Sequence, residues 1–267
     1  MKIYRNTQEI SRKEKLGRRI TLTGLAILFI GLLASFTPTW FPPETPSPNP
    51  LIRFVQMYWM YISFGALAVG FLASNLGSYY INRFAPRRWP GSNRIARPDE
   101  LLAQGLKGFD DKYSLFLWSL PGPSYLLVGP PGVLVFIVRG DKGKVTVSGD
   151  RWQEKFSLGR LLTSVTREGV GDPGKELLQA QRQVQEMLEQ AAAQGEIQAD
   201  VSSVPVGGAV VFINPQMELV LNSPSVPVVT LKELKKFVRN KAREQKAPPA
   251  ALREVTAYLE KVAEGTD

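Results

Sequence analysis

The residues that could carry chemistry are few in kind. There is no cysteine and no histidine in 267 residues. That excludes disulfides, thiol nucleophiles, Cys/His zinc sites and any imidazole base. Catalysis would need carboxylates, Lys, Tyr, Ser or Thr. The absence of cysteine fits a reducing compartment. Asp110-Asp111 is an adjacent acid pair, but adjacent acids after a helix read as a turn rather than a cation site. Gly129-Pro130-Pro131-Gly132 lacks the Lys-Ser/Thr of a phosphate cradle and leads into no helix, so it reads as a hairpin turn. Lys232, Lys235, Lys236, Arg239, Lys241, Arg243 and Lys246 form a basic segment. It reads first as a solvated helix face, and otherwise as a contact for anionic headgroups or nucleic acid through Lys235, Lys236 and Arg239. Tyr113, Phe116 and Trp118 read as sheet and core residues.

The net charge of +9 would suit a nucleic-acid binder, but its distribution does not. Residues 1–97 hold 13 Lys/Arg against 3 Asp/Glu, and residues 98–267 hold 20 against 21. The basicity belongs to the N-terminal third. There, Ile20 to Pro43 and Phe54 to Asn82 carry no charge. Each run is long enough to cross a bilayer, which takes about 20 residues as helix. Spans are predicted at about 20–36 and 54–76.

Lys2, Arg5, Arg12, Lys13, Lys15, Arg18 and Arg19 precede the first run. Arg83, Arg87, Arg88, Arg94 and Arg97 follow the second, while the loop between holds Arg53 and Glu44. The positive-inside rule then puts both ends in the cytoplasm, as a multi-pass protein of the inner or plasma membrane. A cleaved signal peptide is the competing reading of the first run, but the charged leader is long and no A-x-A site follows. The proline-rich loop from Pro38 to Pro50 is predicted extended and poorly ordered. Ala66, Gly70, Ser74 and Ser78 recur every four residues. They suit either packing against the first span or a homo-oligomer contact.

Behind this anchor (residues 1–97) the pattern predicts a soluble domain over 98–246 and a short C-terminal helix or tail over 247–267. Pro98-Asp99-Glu100 opens a helix, with acids where the dipole favours them. Strands are predicted at Tyr113–Trp118, Tyr125–Val128, Val133–Val138 and Lys144–Val147. Irregular chain follows, containing Trp152 and Phe156. Asp172-Pro173 caps a helix reaching about Gln194. Strands at Ala209–Ile213, Glu218–Leu221 and Val226–Val229 precede a capping box, Thr230 to Glu233, and a helix to about Arg243. The order implies an α/β fold: a mixed sheet with flanking helices.

Read in order, the segments from about 98 to 243 resemble the nuclease-related domain, NERD, a relative of PD-(D/E)xK, restriction-endonuclease-like nucleases. The carrying stretch is Pro123-Ser-Tyr-Leu-Leu-Val-Gly-Pro-Pro-Gly-Val-Leu-Val-Phe-Ile-Val-Arg139 with Gly143-Lys-Val. The helix after Asp172-Pro173, the strand Val210–Ile213 and the run Val226–Leu234 accompany it. The resemblance implies a restriction-endonuclease-like fold. Its chemistry would use an aspartate and a glutamate to hold a divalent cation on the scissile phosphate, with a lysine positioning the nucleophile. Here Ser124 stands at the aspartate position, Ile137 and Arg139 at Glu-x-Lys, and Glu176 at a glutamine. Glu100 matches the acid of the first helix.

Ile137 cannot ligate a hard cation, and Arg139 stays charged at neutral pH. The leading expectation is therefore a membrane-tethered pseudoenzyme with no cofactor, binding nucleic acid or protein, with Arg139 available to an anion. Two alternatives stand beside it. One is a nuclease using Mg²⁺ or Mn²⁺ through migrated carboxylates, Asp141, Glu100 and Glu176. The other is a structural membrane protein that assembles through its spans.

Overall fold

The computed structural model describes residues 1–265 except 43, 46, 86–96, 141–142 and 155–170. The chain forms two compact units: residues 11–85, and an α/β unit in which residues 1–10 join the described chain from 97 onward.

In the first unit, α1 (Thr7–Ser35) and α3 (Pro50–Phe84) are both long and apolar enough to cross a membrane. A helical turn, α2 (Thr37–Trp40), lies between them. The α3 start is locally encoded: Asn49 accepts the Leu51 N–H, and Pro50 takes the first position, where no N–H is needed. Both helices extend beyond the uncharged runs. Lys13 lies over the Phe84 ring at 5.5 Å, so the pair stays together through its charged ends. The loop between the helices is more organised among its described residues than its prolines suggest. Gln56, inside the apolar run, donates to the carbonyls of Phe41, Pro42 and Thr45, and accepts from the Ser47 N–H.

The α/β unit is a six-stranded mixed sheet between two helical layers. Its strands are β1 (Lys2–Arg5), β2 (Ser114–Leu117), β3 (Tyr125–Gly129), β4 (Gly132–Arg139), β7 (Val206–Phe212) and β9 (Val228–Thr230), in that spatial order. Only β3 runs against the rest. A second sheet joins β5 (Gly143–Ser148) to β6 (Arg151–Glu154) on one side and β8 (Met217–Asn222) on the other.

Alternation divides the core. Leu115, Leu117, Leu127, Leu134, Phe136 and Val211 meet α4 (Pro98–Gly105) and α6 (Leu234–Glu244). Phe116, Leu126, Val128, Val135, Val210 and Phe212 share the opposite core with α5 (Pro173–Ala193) and α7 (Pro249–Glu264). In β7, a Cβ at Gly208 would stand 2.1 Å from the Val135 carbonyl oxygen and 2.8 Å from Leu177 Cδ1, so glycine is what lets α5 lie against the sheet.

Three elements depart from the sequence expectation. Residues 2–5, which read as part of a basic leader, form the edge strand β1, paired in parallel with β2. Residues 151–154, which read as irregular, form β6. The C-terminal helix is no tail: α7 is 16 residues long and buries Ala251, Val255, Leu259 and Ala263 in the core.

Candidate functional site

Two of the positions singled out by the nuclease resemblance, Arg139 and Glu176, meet at the carboxyl end of β4. The β3–β4 hairpin pairs Leu126 with Val135. Continuing that antiparallel register by two residues sets Ser124 opposite Ile137. Ser124 is held there by the loop before it, where its carbonyl accepts the Trp118 N–H at 2.8 Å. Ile137 packs against the core shared with α5. Arg139, two residues on and thus on the same face, is 6% exposed, and it ion-pairs with Glu176 in the first turn of α5.

That turn is positioned by Asp172, which accepts the Lys175 N–H at 3.0 Å. The bond holds the Asp172 carboxyl below its usual range. Glu176 gains from the helix dipole and is half-exposed, whereas its arginine partner is enclosed. The Arg139 Nε is buried without a hydrogen-bond partner among the described residues. Among the described residues, the end of β4 thus holds an internal cation answered by a single carboxylate. Among the described residues, no group of three or more Asp, Glu, His or Cys could hold a metal ion.

The other acids do not join this site. Glu100 lies on α4, the layer opposite α5, and pairs with Arg97 at 3.1 Å. Asp141 lies outside the described residues. Asp110 forms a turn, accepting the Lys112 N–H at 3.3 Å. Lys235, Lys236 and Arg239 belong to α6, also in the opposite layer, with Arg239 over the Phe109 ring at 5.9 Å. They are not assembled with Arg139.

Sequence reasoning missed a buried ion cluster. Asp99, 2% exposed, ion-pairs through Oδ2 with Arg5 Nε at 3.2 Å and accepts on the same oxygen from Arg97 Nη2 at 3.1 Å. Burial raises its pKa, and Arg97 and Arg5 oppose the rise. From sequence, Asp99 reads only as a first-turn acid, because its partner Arg5 is far away in the chain. On the other face of β1, Glu260 of α7 accepts from Ser114 at 3.4 Å and pairs with Lys2 at 3.5 Å. Tyr4 stacks on Phe116, ring centroids 5.0 Å apart, and burial together with Glu260 pushes its phenol up to about 12.

In the helical unit, three of the four small residues face α1. A Cβ at Gly24 would lie 2.6 Å from Ser74 N, one at Gly31 2.6 Å from Ala66 Cβ, and one at Gly70 2.8 Å from the Gly24 carbonyl. Gly77 rather than Ser78 takes the last place, 2.5 Å from Thr21 N.

Fold and site together define a mixed α/β unit with flanking helices, joined to two helices able to cross a membrane. Compared with family models, with curated proteins and with solved structures, the chain matches none.

Proposed function

We propose that this chain is a membrane-anchored, nuclease-related module that has exchanged metal catalysis for binding, held on the cytoplasmic face of the cell membrane. The observation that carries the reading is the Arg139–Glu176 pair at the end of β4. Where the NERD resemblance calls for a divalent cation between acids, this chain has a hydroxyl, an aliphatic side chain and its own guanidinium. A buried arginine can satisfy Glu176 and tie α5 to β4, but it cannot activate water. The likeness in element order, from the helix at Pro98 through the β3–β4 hairpin to α5 and β7, supports the same ancestry.

The hairpin topology rests on β1. Residues before α1 and residues after α3 share one sheet and one ion cluster, which supports a hairpin with both ends on one side of a bilayer. The charged flanks make that side the cytoplasm. The packing of Ala66, Gly70 and Ser74 against α1 within the chain supports this reading beside that of a structural protein assembling through its spans.

The test is a cleavage assay on the full chain in lipid nanodiscs, because residues 98–267 alone lack β1. Linear, nicked and single-stranded DNA and RNA would be offered with Mg²⁺ and with Mn²⁺, with and without chelator. The expected result is no cation-dependent cutting by a protein whose melting shows it folded. Cutting that chelator abolishes would sink the proposal in favour of migrated ligands.

A further inference from the structure

We infer that β1 is a latch through which the membrane helices act on the α/β domain. The inference rests on the hairpin crossing a bilayer and goes beyond the binding role proposed above. Its first ground is the joint between β1 and α1, a single residue, Asn6. Asn6 is buried and doubly committed: its N–H donates to the Leu117 carbonyl at 3.2 Å, and its side chain accepts the Glu9 N–H at 2.6 Å, starting the helix. With no slack between strand and helix, a displacement of α1 along its axis is a displacement of β1.

The second ground is how β1 is held. It is an edge strand of four residues with one neighbour, and Ile3 is 48% exposed. The Tyr4–Phe116 stack is its main apolar hold, with ion pairs at the ends, Lys2 to Glu260 and Arg5 to Asp99. The strands within the sheet are instead packed on both faces. Elements with few buried apolar contacts open first. One of the two edge strands of the sheet is thus joined directly to a membrane helix.

The third ground is length. The uncharged helical run from Ile20 through α2 to Trp40 is about 31 Å long at 1.5 Å per residue, close to a bilayer core of ~30 Å. In a bilayer thicker than that the span becomes short, and the mismatch costs a fraction of a kcal/mol for each ångström, about enough over several to load α1. Here that load falls on Asn6 and β1. Withdrawal of β1 takes Arg5 from Asp99 and bares the β2 edge, which alters the domain without touching its centre.

Hydrogen exchange on the full chain in nanodiscs of short-chain and long-chain lipid tests this. In the thicker bilayer, the amides of residues 4–6 should exchange about tenfold faster or more, while those of β4 and β7 stay unchanged. Three glycines inserted after Asn6 should abolish the difference. Equal exchange in the two bilayers would overturn the latch, as would a difference that survives the glycine insertion. A chain that fails to co-elute with the discs would overturn the membrane reading first and the latch with it.

Discussion

Leucine at Gly24 should force the two apolar helices apart. A Cβ there would lie 2.6 Å from Ser74 N and 2.9 Å from the Gly70 carbonyl oxygen. These are backbone atoms, which cannot turn aside as a side chain does. The whole interface must open, and the contacts of Gly31 with Ala66 and of Gly77 with Thr21 go with it. Overpacking typically costs about 1–3 kcal/mol, and here the upper end or more is expected. Gly65→Leu is the matched control, because nothing lies within 4 Å of a Cβ at that position. Thermal unfolding in detergent should show a large fall in Tm for Gly24→Leu and almost none for Gly65→Leu. The mass of the particle should not change in either. Loss of a dimer with an unchanged melting temperature would instead mean that this face joins two chains, as would the same outcome from crosslinking Gly70→Ile.

The second large effect concerns Asp99. Arg97→Ala should cost about 3 kcal/mol or more, because it leaves a buried carboxylate with a single partner, Arg5. Asp99→Asn should cost less, since Arg97 keeps its pairing with Glu100 at 3.1 Å and the asparagine oxygen can still accept from a guanidinium, and the double variant should recover part of the Arg97→Ala loss. Burial already raises the Asp99 pKa above its ordinary value of 3.8, against the pull of Arg97 and Arg5. A carboxyl raised on folding favours the fold below its unfolded pKa and loses that contribution as pH rises through the folded value. Removing Arg97 raises the folded pKa further. The Arg97→Ala deficit should therefore shrink as pH falls toward about 4, while Asp99→Asn shows no such recovery. Denaturation of the full chain across that pH range measures both. A larger loss from Asp99→Asn than from Arg97→Ala would refute this account of the cluster.

What could be read from the sequence was what is encoded locally. The two apolar runs, the Asp172-Pro173 start of α5 and the Gly129–Gly132 turn each depend on a few neighbouring residues, and each forms where expected. Glu233 reaches back to the Thr230 N–H at 3.0 Å, as a capping box requires. What could not be read depends on distant partners. Lys-Ile-Tyr-Arg becomes a strand only because β2 offers an edge and because Asp99 and Glu260 answer its charges. Ser78 keeps the four-residue rhythm of α3, but Thr21 meets Gly77 instead, because the register is set by the glycines of α1. Ala251, Val255, Leu259 and Ala263 carry a four-residue period that does signal a buried helix face. The short, acid-containing C-terminal segment around them hides how much core it supplies. At the site, the sequence named Ser124, Ile137, Arg139 and Glu176. That Arg139 and Glu176 neutralise each other depends on α5 meeting the end of β4, which no local pattern states.

On this reading a membrane hairpin is inserted into one α/β domain, between its first strand and the rest. A chain without cysteine makes the direct test clean. Single cysteines would replace Gln8, Glu44 and Asn240, all exposed, and intact cells would be treated with a membrane-impermeant maleimide. Glu44→Cys should label from outside, and Gln8→Cys and Asn240→Cys should label only after the membrane is opened. Labelling of Gln8→Cys and Asn240→Cys from opposite sides would contradict the inserted hairpin, because β1 could not then pair with β2.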